Sequence, residues 1–394
     1  MIDFVDILDY FNLDMSHKKQ LSRREFLKLS ALALGGAALT GRQSAGSLLK
    51  GLNLFQEDTT TFPENQWLGR MCVGEPGANV PMMSEPSAFA NEVRKVYFDE
   101  VLNWNREVIA DPVDANKINQ RWVETPEGYI YADYVQKVRF DRQTPLEELP
   151  LNESGERGIW VEITTPYSGL DLTKPQSSYQ FWIRATIRPR IYYSQVFWAF
   201  DVRRHPDTGV VQYCLTQKYG ALPDVYWVNA DVCRPITTEE VGPIHPDAEN
   251  KKVVVNINYQ TMSCYEGHEE VFFAKVTTGG WNPEDEKWST PVGTHTIWRK
   301  SLSIHMSAGA AVGNYDIPGI PWSTFFDING AAIHSTFWHN YFGSGPRSHG
   351  CVNCRPEDAK WVYRWTQPAV PYEAGDIFIN GLNQSTQVQV IAAE

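Results

Sequence analysis

The chain has 394 residues, enough for two or three domains with substantial cores. A formal net charge of -12 excludes nucleic acid as a partner, because phosphate neutralisation needs a basic face, and it disfavours simple electrostatic adhesion to anionic polymers. Aromatic residues make up 13%, with 14 Trp and 18 Tyr, which fits β-rich modules whose rings serve as core and cross-strand pairs, or less simply as carbohydrate-facing surfaces.

The first element is an address. Ser22-Arg23-Arg24-Glu25-Phe26-Leu27-Lys28 precedes an apolar run from Leu29 to Leu39 that is too short to span a bilayer comfortably. A polar stretch, a basic pair and an apolar run in that order are similar to a twin-arginine export signal, assigned to residues 1–45 with cleavage expected after Ala45. An amphipathic helix with an incidental Arg-Arg is the blander alternative. No cysteine closes the run, so no lipid anchor is expected, and no later segment is long and apolar enough to span a membrane. The expected location is the periplasm or the extracellular cell-wall side. Residues 46–66 read as a linker.

Residues 67–142 read as a small β module. Gly69-Arg70-Met71-Cys72-Val73 is a short strand, Gly74 to Asn79 is a turn, and Glu127 to Val135 closes the unit. That closing stretch resembles the last strands of a bacterial Src-homology-3-like barrel. A second β-rich module, 156–245, contains Phe181–Ile187, Val196–Phe200 and Val225–Asp231. Its Ala230-Asp231 echoes Ala132-Asp133, and Thr164 to Gly169 echoes the turn near Pro76, so a diverged repeat is one reading. A substrate-facing domain packed on the C-terminal one is the other. Among six cysteines, Cys214 with Cys233 is a reasonable pair for an exported module.

Residues 250–394 show the sharpest pattern. Val253 to Asn258 and Val271 to Val276 are strands around the turn Glu266-Gly267-His268, and Ile304-His305-Met306-Ser307 is a later strand. The stretch from Ile333 to Asn353 reads IHSTFWHNYFGSGPRSHGCVN. Thiol catalysis needs a nucleophilic sulfur, a base and oxyanion donors, and Cys351, the neighbouring histidines and the amides beside Gly350 offer all three. Pro356 to Trp365 reads as a helix with proline and carboxylates in its first turn. A thiol just upstream of that N-terminus is expected to have its thiolate favoured by the helix dipole.

A histidine, a loop and then Ser348-His349-Gly350-Cys351-Val352-Asn353 resemble the signature of the L,D-transpeptidases, cysteine enzymes that cross-link bacterial peptidoglycan. The similarity covers roughly the last third of the chain and includes Thr277-Thr278-Gly279-Gly280, the Thr290-Pro291-Val292-Gly293 turn and the Met306 strand, which would line the substrate groove. The resemblance implies Cys351 as nucleophile, His334 as base oriented by the Ser335 carbonyl, and an oxyanion hole from the Gly350 and Cys351 amides. His349 and Asn353 would frame the site beside Ser348. Arg347 is placed to meet a substrate carboxylate, and Tyr315 with Trp322 would form a lid; a solvated arginine and ordinary packing are the blander readings. The loop from His334 to Ser348 is slightly short for the family, which bears on the groove's shape.

The implied fold is mostly β and multidomain, with small β-barrel modules before a β-sandwich-like catalytic domain. The implied function is cell-wall cross-linking of peptidoglycan stem peptides through a cysteine thioester, with release of D-alanine, no metal or other cofactor, and acylation of Cys351 by carbapenems. The alternatives are an L,D-carboxypeptidase using the same thioester and a non-catalytic wall-binding protein. Three other readings compete for the cysteine. A buried structural cysteine is the commonest fate of an isolated one. Cys351-Val352-Asn353-Cys354 is a C-x-x-C, although no βαβ pattern surrounds it, and a Cys351–Cys354 disulfide would silence the nucleophile. His334, His339, His349, Cys351 and Cys354 offer zinc-ligand types at a spacing unusual for a structural site. His339 is either an alternative base or a loop residue.

Overall fold

A computed structural model describes residues 62–74, 77–152, 154–171, 190–220, 225–307, 316–380 and 385–392. The signal region, most of the linker, the Phe181–Ile187 stretch and Tyr315 lie outside the described residues. Short strands dominate, and they pair into several sheets with no closed barrel among the described residues.

In the first region Trp67–Met71 lies between Val101–Asn103 and Val135–Arg139, and Asn79–Met83 joins a five-stranded sheet with Glu92–Tyr97, Tyr129–Tyr131, Arg121–Glu124 and Arg106–Ile109. Met71, Val80, Met82, Val96, Val123, Ile130 and Val135 fill the space between them. The second region is a five-stranded antiparallel sheet in the order Val225–Asn229, Val211–Thr216, Val196–Arg204, Ile159–Ile163, Cys233–Pro235.

The Ala-Asp echo is a structural device. Ala132–Tyr134 and Ala230–Val232 are both single 3-10 turns, entered at φ -59°, ψ 128° and φ -58°, ψ 126°, and each is closed by the next residue's N–H on the alanine carbonyl. Both alanines are fully buried, so the small side chain lets the turn press onto the core.

The expected Cys214–Cys233 disulfide does not form; both residues are buried. Side chains alternate along a strand. Val211, Tyr213 and Leu215 face the same core as Cys233, which leaves Cys214 on the opposite face.

The C-terminal region is two five-stranded sheets with a helix. One sheet runs Glu269–Lys275, Thr261–Glu266, Lys251–Asn256, Gln387–Ile391, Gly293–Thr296. The other runs Val352–Cys354, Ala332–Ser335, Asp316–Phe325, Arg299–Ser307, Asp376–Phe378. Lys251–Asn256 alternates buried and half-buried, as its Val253 and Val255 require. Those valines meet Leu302, Trp322, Ile333, Val352 and Cys354 in one core, closed by Val362, Tyr363 and Trp365 of the helix Pro356–Trp365. Trp160, Val196 and Trp198 of the second region enter the same core, so that region and the C-terminal one are packed continuously. Gly375, at φ +64°, leaves the room that the Trp160 ring occupies. Trp322 is fully buried edge-on to Tyr363, with ring centroids 5.4 Å apart, and so is a core residue and not a lid.

Two lysines finish the helix. Lys251 Nζ donates to Trp365 O at 2.9 Å, and Lys300 Nζ to Thr366 O at 2.7 Å and Pro368 O at 2.8 Å. The last carbonyls of a helix lack intrahelical donors and carry negative partial charge, and ammonium groups meet both needs. Burial holds Lys300 well below the usual lysine range.

Candidate active site

The site forms where Ala332–Ser335 and Val352–Cys354 run parallel, with Ile333 opposite Val352 and His334 opposite Asn353. Ile333, Val352 and Cys354 point into the main core. By the period-2 rule His334, Asn353 and Cys351 belong to the other face. There Ile304, Ile320, Phe325 and Ala332 form a small core against which Cys351, Met306 and Trp338 are all packed. Cys351 and Cys354 thus lie on opposite faces of one strand in separate clusters, and both are free. This geometry does not support a Cys351–Cys354 disulfide.

His334 is buried, and its Nδ1 donates to the Ser335 carbonyl at 2.8 Å. A carbonyl only accepts, so Nδ1 carries the proton and Nε2 is the basic nitrogen. Burial pushes the imidazole down to about 4, against a small upward effect of that carbonyl. The Cys351 thiol lies 3.9 Å from the Gly330 carbonyl, and burial pushes it up to about 11 despite the Ala332 backbone N–H. Both shifts favour a neutral thiol and a neutral imidazole at rest, and so run against the expected dipole-stabilised thiolate. The three residues of Val352–Cys354 stand between Cys351 and the helix, and dipole effects fade within a turn of the helix end.

The motif turn is pinned by its small residues. Ser348 Oγ donates to the Cys351 carbonyl and accepts the Gly350 N–H at 3.0 Å. The Gly350 amide, expected in the oxyanion hole, is thus engaged by Ser348 in the resting state. Gly350 sits at φ +151°, and a Cβ there would come 2.9 Å from Ser289 O. Thr290 Oγ1 donates to Gly350 O at 2.9 Å and accepts the Gly279 N–H at 2.8 Å, so the Thr-Pro-Val-Gly turn ties the motif to the segment 277–280 beside it. Ser348 N–H donates to Thr278 O at 3.0 Å, and Asn353 exchanges two backbone bonds with Thr277 at 2.8 and 3.0 Å.

His339 is not a free base. Its Nδ1 accepts the Tyr341 N–H at 3.3 Å, its Nε2 lies 3.0 Å from the Asn353 amide, and burial pushes it down to about 3. Among the described residues no group of three or more His, Cys, Asp or Glu stands placed to hold a metal ion.

The structure brings together Cys351, His334, Ser335, Gly350, Ser348, Asn353 and Met306. Arg347 and His349 are exposed beside them, with the Arg347 guanidinium 4.4 Å over the Tyr341 ring. Sequence reasoning missed Trp338, whose ring lies 6.1 Å from that of His334 and packs against the same small core as Cys351. The aromatic run Phe337-Trp338-His339 inside the motif loop was the available signal. It also missed the tying role of Thr290, which shows only once Gly279 and Gly350 are adjacent in space.

Residues 250–390 match the family model of the L,D-transpeptidase catalytic domain, YkuD. The matched stretch contains His334, Cys351 and the turn from Ser348 to Asn353. No match is found among curated proteins. Solved structures similar to the chain include an L,D-transpeptidase from Mycobacterium smegmatis, 18% identical, covering 49% of this chain and 77% of that one with a TM-score of 0.29. Another is an L,D-transpeptidase (Yku) from Stackebrandtia nassauensis, 23% identical, covering 39% and 60% with a TM-score of 0.24. A third is the L,D-transpeptidase LdtMt1 in complex with imipenem, 14% identical, covering 63% and 95% with a TM-score of 0.28.

Proposed function

We propose that the protein is a peptidoglycan L,D-transpeptidase with Cys351 as nucleophile and His334 as general base. The observation that carries this reading is the Nδ1–H bond from His334 to the Ser335 carbonyl, which leaves a basic Nε2 on the face of the strand pair that Cys351 shares. The family match over residues 250–390 supports it.

Nε2 takes the thiol proton as sulfur attacks the carbonyl that precedes the terminal D-alanine of a stem peptide. The C–N bond breaks, the imidazolium gives its proton to the departing D-alanine, and a thioester remains on Cys351. An amine from a neighbouring stem then attacks the thioester, losing its proton to His334 and regenerating the thiol. The Cys351 amide supplies one oxyanion donor, and the Gly350 amide a second once an oxyanion draws it from Ser348. Arg347, His349 and Asn353 line the approach to the thiol. Carbapenems, like the imipenem named for the LdtMt1 complex, would acylate Cys351 by the same attack. On this reading the protein works outside the cytoplasm, exported by the twin-arginine route, and its two N-terminal β regions relate to Src-homology-3-like wall modules.

The test is mass spectrometry of the reduced protein with a disaccharide-tetrapeptide, beside Cys351→Ala. Cysteine-dependent dimer lacking one D-alanine is expected. Tripeptide without dimer would make the protein a carboxypeptidase, and no product from a folded sample would point to a wall-binding protein.

A further inference from the structure

We propose that the Ala132-Asp133 turn of the first β region is a positioning element of the candidate active site, clamping from behind the loop that carries Trp338 and His339. The proposal builds on the roles of Cys351 and His334 given above, and assigns the N-terminal β region a part in shaping the catalytic centre.

The loop leaves Ala332–Ser335 and returns at Ser348. Its own region ties it by Thr336 N–H to Cys354 O at 3.2 Å, Gly343 N–H to Val276 O at 2.9 Å and Arg347 N–H to Thr278 O at 2.8 Å. The stretch between Thr336 and Gly343 is held from the first region. Asn340 N–H donates to Asp133 O at 3.2 Å, Asn340 Nδ2 to Ala132 O at 2.8 Å, and, just beyond, Ser344 Oγ to Asp133 Oδ1 at 2.8 Å. The buried Asp133 carboxylate is itself fixed by Asn119 Nδ2 at 2.5 Å. A second anchor lies three residues earlier, where the Phe337 carbonyl accepts from Arg70 Nη2. Arg70 is buried, paired with Asp99 at 2.8 Å and Gln136 at 2.7 Å, and lies 4.4 Å over the Tyr192 ring, on which Phe337 stacks at 5.3 Å.

Between the anchors at Phe337 and Asn340 sit Trp338 and His339. They face the other way, Trp338 into the Cys351 cluster and His339 onto Asn353. The anchors thus set where Trp338 stands against the His334 ring and the core that Cys351 shares, and displacements of about an ångström there cost rate steeply. The Ala230-Asp231 turn supplies a contrast. Asp231 occupies the equivalent position in the second 3-10 turn, and its carboxylate pairs with Arg142 at 2.5 Å.

The experiment compares the full chain with Asp133→Ala, Asn340→Ala and Ser344→Ala, and with Asp231→Ala as control. Hydrogen exchange is followed by mass spectrometry, alongside turnover of the disaccharide-tetrapeptide and thermal melting. Exchange of the amides at 337–347 is expected to rise about tenfold or more in the three clamp variants while Lys251–Asn256 keeps its protection. Their kcat is expected to fall about tenfold, with KM changing less than about threefold. Asp231→Ala should move neither. If Asp133→Ala fails to fold, the two loop-side variants probe the same contacts. Folded variants with wild-type exchange at 337–347 would overturn the proposal, as would loss of protection spread over the whole protein. Increased loop exchange in a protein whose wild type makes no Cys351-dependent product would uphold the clamp and remove the transpeptidase reading.

Discussion

The neutral resting state of Cys351 and His334 can be measured directly. With the thiol at about 11, its thiolate fraction at pH 8 is about 10⁻³, against roughly a quarter for a free cysteine of pKa about 8.5. A more basic thiolate is also the better nucleophile, by about tenfold over this shift at a Brønsted slope near 0.45. Iodoacetamide should therefore modify Cys351 about 20-fold more slowly than a small free thiol at pH 8. The logarithm of the rate should rise with unit slope to about pH 10. The other five cysteines are all buried, so the reaction reports Cys351, and Cys351→Ala checks this. His334→Ala should leave the alkylation profile in place, because a neutral imidazole of pKa about 4 holds no thiolate at this pH. The same substitution should lower thioester formation about 10²- to 10⁴-fold, the usual contribution of a general base. A rate plateau between pH 5 and 8 that disappears in His334→Ala would refute the argument, since it is the mark of a preformed thiolate–imidazolium pair.

Three further outcomes are expected. Lys300→Ala leaves the Thr366 and Pro368 carbonyls without their buried donor and should destabilise the protein by about 2–4 kcal/mol in denaturant titration, more than an exposed lysine would. Burial lowers His339 to about 3, so the unfolded chain binds its proton first as pH falls below about 6.5, and stability is lost through that window. Asp358, pushed up to about 6 by burial, acts in the opposite sense, so the readout is the difference between the wild type and His339→Gln. Between pH 6.5 and 4 the variant should lose about 3 kcal/mol less stability. Gly350→Ala combines a left-handed φ with a Cβ 2.9 Å from Ser289 O, and should cost about 1–3 kcal/mol together with most of the thioester-forming activity; a fully active variant would count against the pinned turn.

Much of the C-terminal region was legible from local pattern. Alternating valines in Lys251–Asn256 and the proline-led start of Pro356–Trp365 specify their elements through neighbours a few residues away, and the helix occupies the expected residues. The motif loop was legible because the groups of the proposed chemistry, Gly350, Cys351 and His334, fall within about twenty residues of chain. The Ala-Asp echo falls on two 3-10 turns of matching entry geometry, each with its alanine buried.

What the chain order could not convey is what long-range packing decides. Burial of Cys351 against residues from other elements raises its thiol pKa, and that burial is invisible in the local order of the chain. Which face Cys354 takes follows from the register of a parallel strand pair. The clamp on the catalytic loop joins residues 133 and 344 across more than two hundred positions, and the Lys300 cap joins residues 300 and 366. Sequence by itself determined strands such as Lys251–Asn256 and the helix Pro356–Trp365, because propensity and spacing act over a few residues. The tertiary structure alone decided protonation, facing and support, because burial and hydrogen-bond partners are properties of the assembled core.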